Sequence, residues 1–189
     1  MPPLVLEWLP GSDTIGDFVW PGLREDLVVV ERVARDLEDH FSGFELYSVE
    51  MFQEERLYNL KRKPRKPIIL LPYKGPKLYD VWVTKVVNID LGRSSVKKMV
   101  SDTGEATYEA EGLEEYKGEV DAKTLELSYQ HIQREQGKGL YVNIADLGGC
   151  DLFHIEEFFG FKYCTNKLKH HIEEKVYKNV RFLEVGEAI

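Results

Sequence analysis

Cysteine is scarce in this chain. Only Cys150 and Cys164 occur in 189 residues, too few for a disulfide scaffold and in keeping with a reducing compartment. Long apolar runs are also missing, and none approaches the ~20 residues that cross a bilayer as a helix. The opening, Met1 to Leu9, has no basic n-region, and Glu7 interrupts its short apolar run. It does not read as a signal peptide, so a cytoplasmic protein with no membrane partner is expected. Positive charge is in deficit, with 25 Lys and Arg against 33 Asp and Glu and a net charge of -8. Such a surface repels a phosphate backbone and argues against a general nucleic-acid binder. It attracts a basic protein and speeds encounter with one. What is present is a globular composition: 43% apolar residues, with 9 Phe, 10 Tyr and 3 Trp. The length suffices for a buried core in one large domain or two small ones.

Along the chain, Leu4 to Leu9 reads as a strand. Pro10-Gly11-Ser12-Asp13 is a turn by composition, since proline fixes φ and glycine permits positive φ. Asp17 to Gly22 is extended and broken by Pro21. Asp26 then caps a helix to about His40, with Leu27, Val30, Val33, Ala34, Leu37 and Phe41 at helical spacing. Gly43 ends that helix, and Phe44 to Val49 alternates as a strand. This block, 1–52, is followed by a basic connector, 53–67. There Lys61-Arg62-Lys63-Pro64-Arg65-Lys66-Pro67 reads as a solvated loop whose prolines oppose helix and ladder alike.

The third block, 68–189, is β-rich and can be continuous with the first as one domain. Ile68 to Leu71, Tyr79 to Ile89, Thr124 to Tyr129 and Leu140 to Ile144 carry the β-branched and aromatic residues of strands. The acidic, glycine-punctuated stretch Asp102 to Asp121 is expected to be a long loop or a weakly formed hairpin. Leu152 to Ile155 is a short strand. Thr165 caps a helix from Asn166 to Tyr177, with Leu168, Ile172 and Val176 on one face, and Val180 to Val185 is a final strand. The class is α+β, mostly antiparallel, with a helix–strand unit at both ends. Val33, Leu37 and Phe41 match Leu168, Ile172 and Val176, and Phe44, Leu46 and Val49 match Val180, Phe182 and Val185. Any amphipathic helix followed by a strand aligns this way, and duplication is the other reading.

Chemistry-bearing residues are few. Cys150, His154, Cys164 and His170 are the residue types of a zinc site, but their spacings are Cys-x3-His and Cys-x5-His, and the second pair straddles a helix start. Structural zinc sites prefer closely paired ligands. The four read as two small apolar thiols and two ordinary histidines, and no metal or cofactor is expected. His170 and His171 point about 100° apart on a helix and read as a solvated face. Cys164, just before a helix, can have a lowered pKa, yet no nucleophile signature surrounds it, and no catalytic residue is assigned. Gly137-Lys138-Gly139 lacks the setting of a phosphate cradle. Within the acidic stretch, Asp102, Glu105, Glu109, Glu111, Glu114, Glu115, Glu119 and Asp121 are opposed only by Lys117. That concentration is either a solubilising loop or a docking surface for a basic partner.

The run Gly16-Asp17-Phe18-Val19-Trp20-Pro21-Gly22, then Asp26-Leu27-Val28-Val29 and Phe44-Glu45-Leu46-Tyr47-Ser48-Val49-Glu50, resembles the opening of the double-CxxCG immunity proteins of myxobacteria. Cys150-Asp151-Leu152-Phe153-His154, Tyr163-Cys164-Thr165 and Val180-Arg181-Phe182-Leu183-Glu184-Val185 resemble the end of the same family. The two CxxCG motifs that give the family its name are absent, and Gly148-Gly149-Cys150 is at most a remnant. The resemblance implies a bacterial cytoplasmic protein that neutralises a cognate protein toxin by binding it, and a basic toxin would suit the acidic charge. The eight carboxylates named above are then the expected contact surface. An enzyme using Cys164 or a histidine, or a module self-associating through Trp8 or Trp20, are the alternatives.

Overall fold

A computed structural model of the chain describes residues 4–7, 15–21, 26–52, 75–102, 104, 106–120 and 127–189. In chain order it has strands β1 (Val5–Glu7), β2 (Phe18–Val19) and β3 (Val28–Val30), helix α1 (Glu31–His40), and strands β4 (Phe44–Ser48), β5 (Glu50–Phe52) and β6 (Leu78–Val83). Strands β7 (Val86–Val87), β8 (Val96–Val100), β9 (Ala106–Ala110), β10 (Glu115–Val120), β11 (Leu127–Ile132) and β12 (Leu140–Val142) follow. Then come helix α2 (Ile144–Leu147), β13 (Leu152–Ile155), a 3-10 turn (Glu156–Phe158), β14 (Tyr163–Cys164), helix α3 (Asn166–Glu174) and β15 (Gly186–Ala188). The class is α+β with mostly antiparallel pairing. None of the described helices is long and apolar enough to cross a membrane.

The chain forms two compact units that interleave along the sequence, where the blocks 1–52, 53–67 and 68–189 read from it are consecutive. One unit comprises Met1–Lys85, Cys150–Leu152 and Cys164–Val180, and the other Val86–Gly149, Phe153–Tyr163 and Arg181–Ile189.

The first unit is built on a four-stranded sheet of order β2-β3-β6-β4. Its centre differs from the sequence expectation. Asp26 does not cap a helix; Val28–Val30 is a strand, with Val29 opposite Phe18 on one side and opposite Tyr79 on the other. Three consecutive valines prefer the pleated backbone, and a strand with neighbours on both edges buries them all. The helix therefore starts at Glu31, whose N–H donates to the Lys77 carbonyl at 2.9 Å. Val33, Ala34 and Leu37 form its buried stripe, which stabilises by about 1.5–3 kcal/mol per large apolar side chain.

Gly43 lies beyond the end of α1, at φ 102°. A Cβ there would meet the Leu152 carbonyl oxygen at 2.1 Å, so both the backbone angle and the close approach require glycine. At the other end of the unit, Thr165 caps α3 as expected: its Oγ1 accepts from the Leu168 N–H at 3.4 Å. Leu168 and Ile172 are buried, but Val176 is 77% exposed. The helix stops at Glu174, and Val176 and Asn179 take φ 55° and 65° in the turn that follows.

In the second unit, Val87, Ile89, Leu140, Val142, Leu147, Phe153, Ile155 and Tyr163 form the core. The expected strand Tyr79 to Ile89 is divided: β6 ends at Val83, and β7 pairs parallel with β13, His154 opposite Val86 and Ile155 opposite Val87. The strand expected to reach Ile144 ends at Val142, because Asn143 caps α2 through its Oδ1 on the Ala145 N–H at 2.9 Å. Val180 to Val185 is not a strand. The C-terminal strand is β15, which pairs parallel with β12. A strand thus follows the helix at both ends, but the residue-for-residue match does not hold at 180–185. The segments 10–13, 53–67 and 68–71 lie outside the described residues.

Candidate functional site

The acidic stretch, expected as a long loop or weakly formed hairpin, is neither throughout. Glu109 lies on β9, and Glu115 and Glu119 on β10, of two separate antiparallel ribbons, β8 with β9 and β10 with β11, while Asp102, Glu111 and Glu114 lie outside the strands. Glu105 and Asp121, and the side chain of Glu119, lie outside what is described. Asp102, Glu109, Glu111 and Glu115 are exposed, and Glu109 sits opposite Lys97 across the β8–β9 ribbon. Glu114 differs from these. One of its carboxylate oxygens lies 2.5 Å from His131 Nε2 and the other accepts from the Glu184 N–H at 2.5 Å. It holds β10 and the C-terminal segment together and leaves the free acidic surface.

The β10–β11 register creates a feature that composition does not reveal. Tyr116 stands opposite His131 and Gly118 opposite Tyr129, so these four share one face. Tyr116 and His131 stack at 4.7 Å between centroids, and the Arg181 guanidinium lies 4.4 Å from the Tyr116 ring. Gly118 leaves room for its neighbours: a Cβ there would sit 3.5 Å from the Tyr129 ring. Tyr129 is 65% and Leu127 54% exposed. Two solvent-facing tyrosines, a leucine and an arginine on one face can form apolar and cation–π contacts at once.

A second constellation lies in the first unit. Asp36 and His40 are one helical turn apart on α1, on the same face. His171 projects from α3, and its Nε2 lies 2.7 Å from Asp36 Oδ2. The Tyr177 hydroxyl donates to the same oxygen at 2.7 Å, and Lys175 Nζ lies 3.8 Å from Oδ1. His40 Nδ1 is 3.5 Å from Oδ1 and 2.8 Å from the Asp36 backbone carbonyl. The His40 and His171 rings are 5.1 Å apart, and Phe41 packs edge-on against His171 at 4.9 Å. Among the described residues, Asp36, His40 and His171 are a grouping whose donor atoms all lie within 4.8 Å of one another.

Burial works to raise the Asp36 carboxyl, but the hydrogen bonds from Tyr177 and His171 and the charges of His171 and Lys175 overcome it. The group is held below the ordinary carboxylate range. Tyr177 is pushed up to about 12, by burial first and then by its bond to Asp36. The turn carrying Tyr177 is tied down by Asp17, which pairs with Arg32 and accepts from the Lys178 N–H at 2.8 Å. Asn179 Nδ2 donates to the Phe18 carbonyl at 2.7 Å and Trp20 Nε1 to the Asn179 carbonyl at 3.1 Å. Trp20 thus has a local partner within this unit, while Trp8 lies outside the described residues.

His171, expected on a solvated helix face, lies against Asp36. The only hint was Asp36 and His40 at i,i+4 spacing, which is common on exposed helices; the third member is 135 residues away. Of the residues weighed for zinc, His154 stacks on Phe159 at 4.4 Å, its Nδ1 lies 2.8 Å from the Phe161 carbonyl, and His170 is exposed. Burial pushes the Cys164 thiol up to about 12, the reverse of the lowering that a helix start can produce.

No protein-family model matches the chain, and no curated protein matches it. The likeness to immunity proteins rests on the residues quoted from its two ends.

Proposed function

We propose that the chain is an immunity-type protein that binds a cognate protein toxin and neutralises it by stoichiometric occlusion. The observation that carries this reading is the exposed face of the β10–β11 ribbon. Tyr116, Leu127 and Tyr129 are all solvent-facing there; exposed Glu115 projects from the other face of β10, and exposed Glu109 and Glu111 stand on and just after β9. Exposed tyrosine is typical of interface centres, and a charged rim sets encounter rate and partner choice. The net charge of -8 favours a basic toxin, met in the cytoplasm of the protected cell. The raised Cys164 thiol supports binding over cysteine chemistry, since the thiolate is the nucleophile.

Stoichiometry separates this reading from an enzymatic one. A candidate cognate toxin, titrated with the chain, should lose activity in proportion to added protein and be fully inhibited at one equivalent. Complete loss at a small fraction of an equivalent would mean turnover and would overturn the proposal.

A further inference from the structure

The geometry points to a binding site for a divalent transition-metal ion, with Zn²⁺ as its natural occupant, formed by Asp36, His40 and His171. Two imidazoles and a carboxylate are a borderline donor set that suits Zn²⁺, Co²⁺, Ni²⁺ and Cu²⁺ rather than Mg²⁺ or Ca²⁺. The site is independent of the β10–β11 ribbon and of the toxin-binding proposal.

The donor spacings fit a small ion. Bonds of about 2.0–2.1 Å in a tetrahedral site put ligand atoms about 3.3 Å apart. The carboxylate lies 3.5 Å from His40 Nδ1 and 2.7 Å from His171 Nε2, and all three donors fall within 4.8 Å of one another. Side-chain shifts of about an ångström would close them on an ion.

The exposures differ in a useful way. Asp36 and His171 are 12% and 19% exposed, whereas His40 is 53% exposed. Two ligands are held by packing and the third is free to swing in from solvent, leaving an entry path and a fourth position for water. His40 would exchange its contact with the Asp36 carbonyl, one turn back on the same helix, for the ion.

The surroundings supply what such a site needs. Tyr177 donates to Asp36 Oδ2 at 2.7 Å, which orients the carboxylate as an outer-shell partner does. Phe41 fixes the His171 ring from the side. Among the described residues two cations oppose an ion there: Lys175, whose ammonium lies 3.8 Å from Oδ1, and Lys167, whose ammonium lies 3.4 Å from the His40 carbonyl; their side chains are 49% and 66% exposed and can turn into solvent. An ion would then take over the charge compensation that Lys175 provides without it.

Calorimetry with Zn²⁺, together with the visible d–d spectrum of Co²⁺, tests the site on the whole chain. One equivalent should bind, and Co²⁺ should give a four-coordinate spectrum. His40→Ala and His171→Ala should each weaken binding more than about 100-fold, and Tyr177→Phe by about tenfold. His170→Ala, which changes the exposed neighbour, should bind as the wild type does. Because His40 is half exposed, its variant should keep the metal-free melting temperature, so that loss of binding is not loss of fold. Absence of binding by the wild type, or unchanged affinity in both His40→Ala and His171→Ala, would overturn the proposal.

Discussion

Asp36 on α1 and His171 on α3 meet at 2.7 Å across 135 residues of chain. The carboxylate also takes the Tyr177 hydroxyl, so it joins the N-terminal helix to the turn after the C-terminal one. A carboxyl held below its ordinary range contributes stability that is fully present above that range. The contribution is lost as pH falls through the lowered folded-state value. Asp36→Asn should therefore destabilise the chain by about 1–3 kcal/mol at neutral pH. It should also flatten the fall in stability on the acid side. Urea unfolding followed by circular dichroism across pH checks both, and an unchanged acid limb would show that this carboxylate is not part of the linkage.

Gly43→Ala should destabilise by more than about 1 kcal/mol, because the new methyl meets both a left-handed backbone angle and the Leu152 carbonyl. Urea midpoints give the answer. A neutral effect would mean that the approach of the 150–152 segment to Gly43 is wrong.

Val176→Gly should leave stability unchanged or raise it by up to about 1 kcal/mol. The left-handed conformation costs a side-chain residue about 1–2 kcal/mol, and glycine returns about half of that through chain entropy. Were Val176 instead on the buried helix face that its spacing suggests, the same change would destabilise strongly. Thermal melting distinguishes the two.

What could be read from the sequence follows the range of the interactions. The α+β class, β13 and the Thr165 cap were legible because alternation and capping are local. Val28–Val30 was misassigned because three valines fit either period, and the pairing with Phe18 and Tyr79 that decides it is long-range. Val180 to Val185 alternates well, yet a strand needs a neighbour, and β12 is taken by β15. The acidic stretch was legible as composition. Its division into free carboxylates and a structural Glu114 was not, since Glu114 is defined by His131 and Glu184. The Asp36–His40–His171 grouping depends on the approach of two helices, which periodicity does not report.

The most direct test of toxin binding through the β10–β11 face is calorimetric titration of a candidate cognate toxin. Wild type, Tyr129→Ala and the triple reversal Glu109→Lys, Glu111→Lys, Glu115→Lys would be compared at low and high salt. A 1:1 complex that weakens with salt is expected for the wild type, with each variant bound at least about tenfold more weakly, as loss of an interface anchor implies. Wild-type affinity in both variants would contradict the assignment of that face.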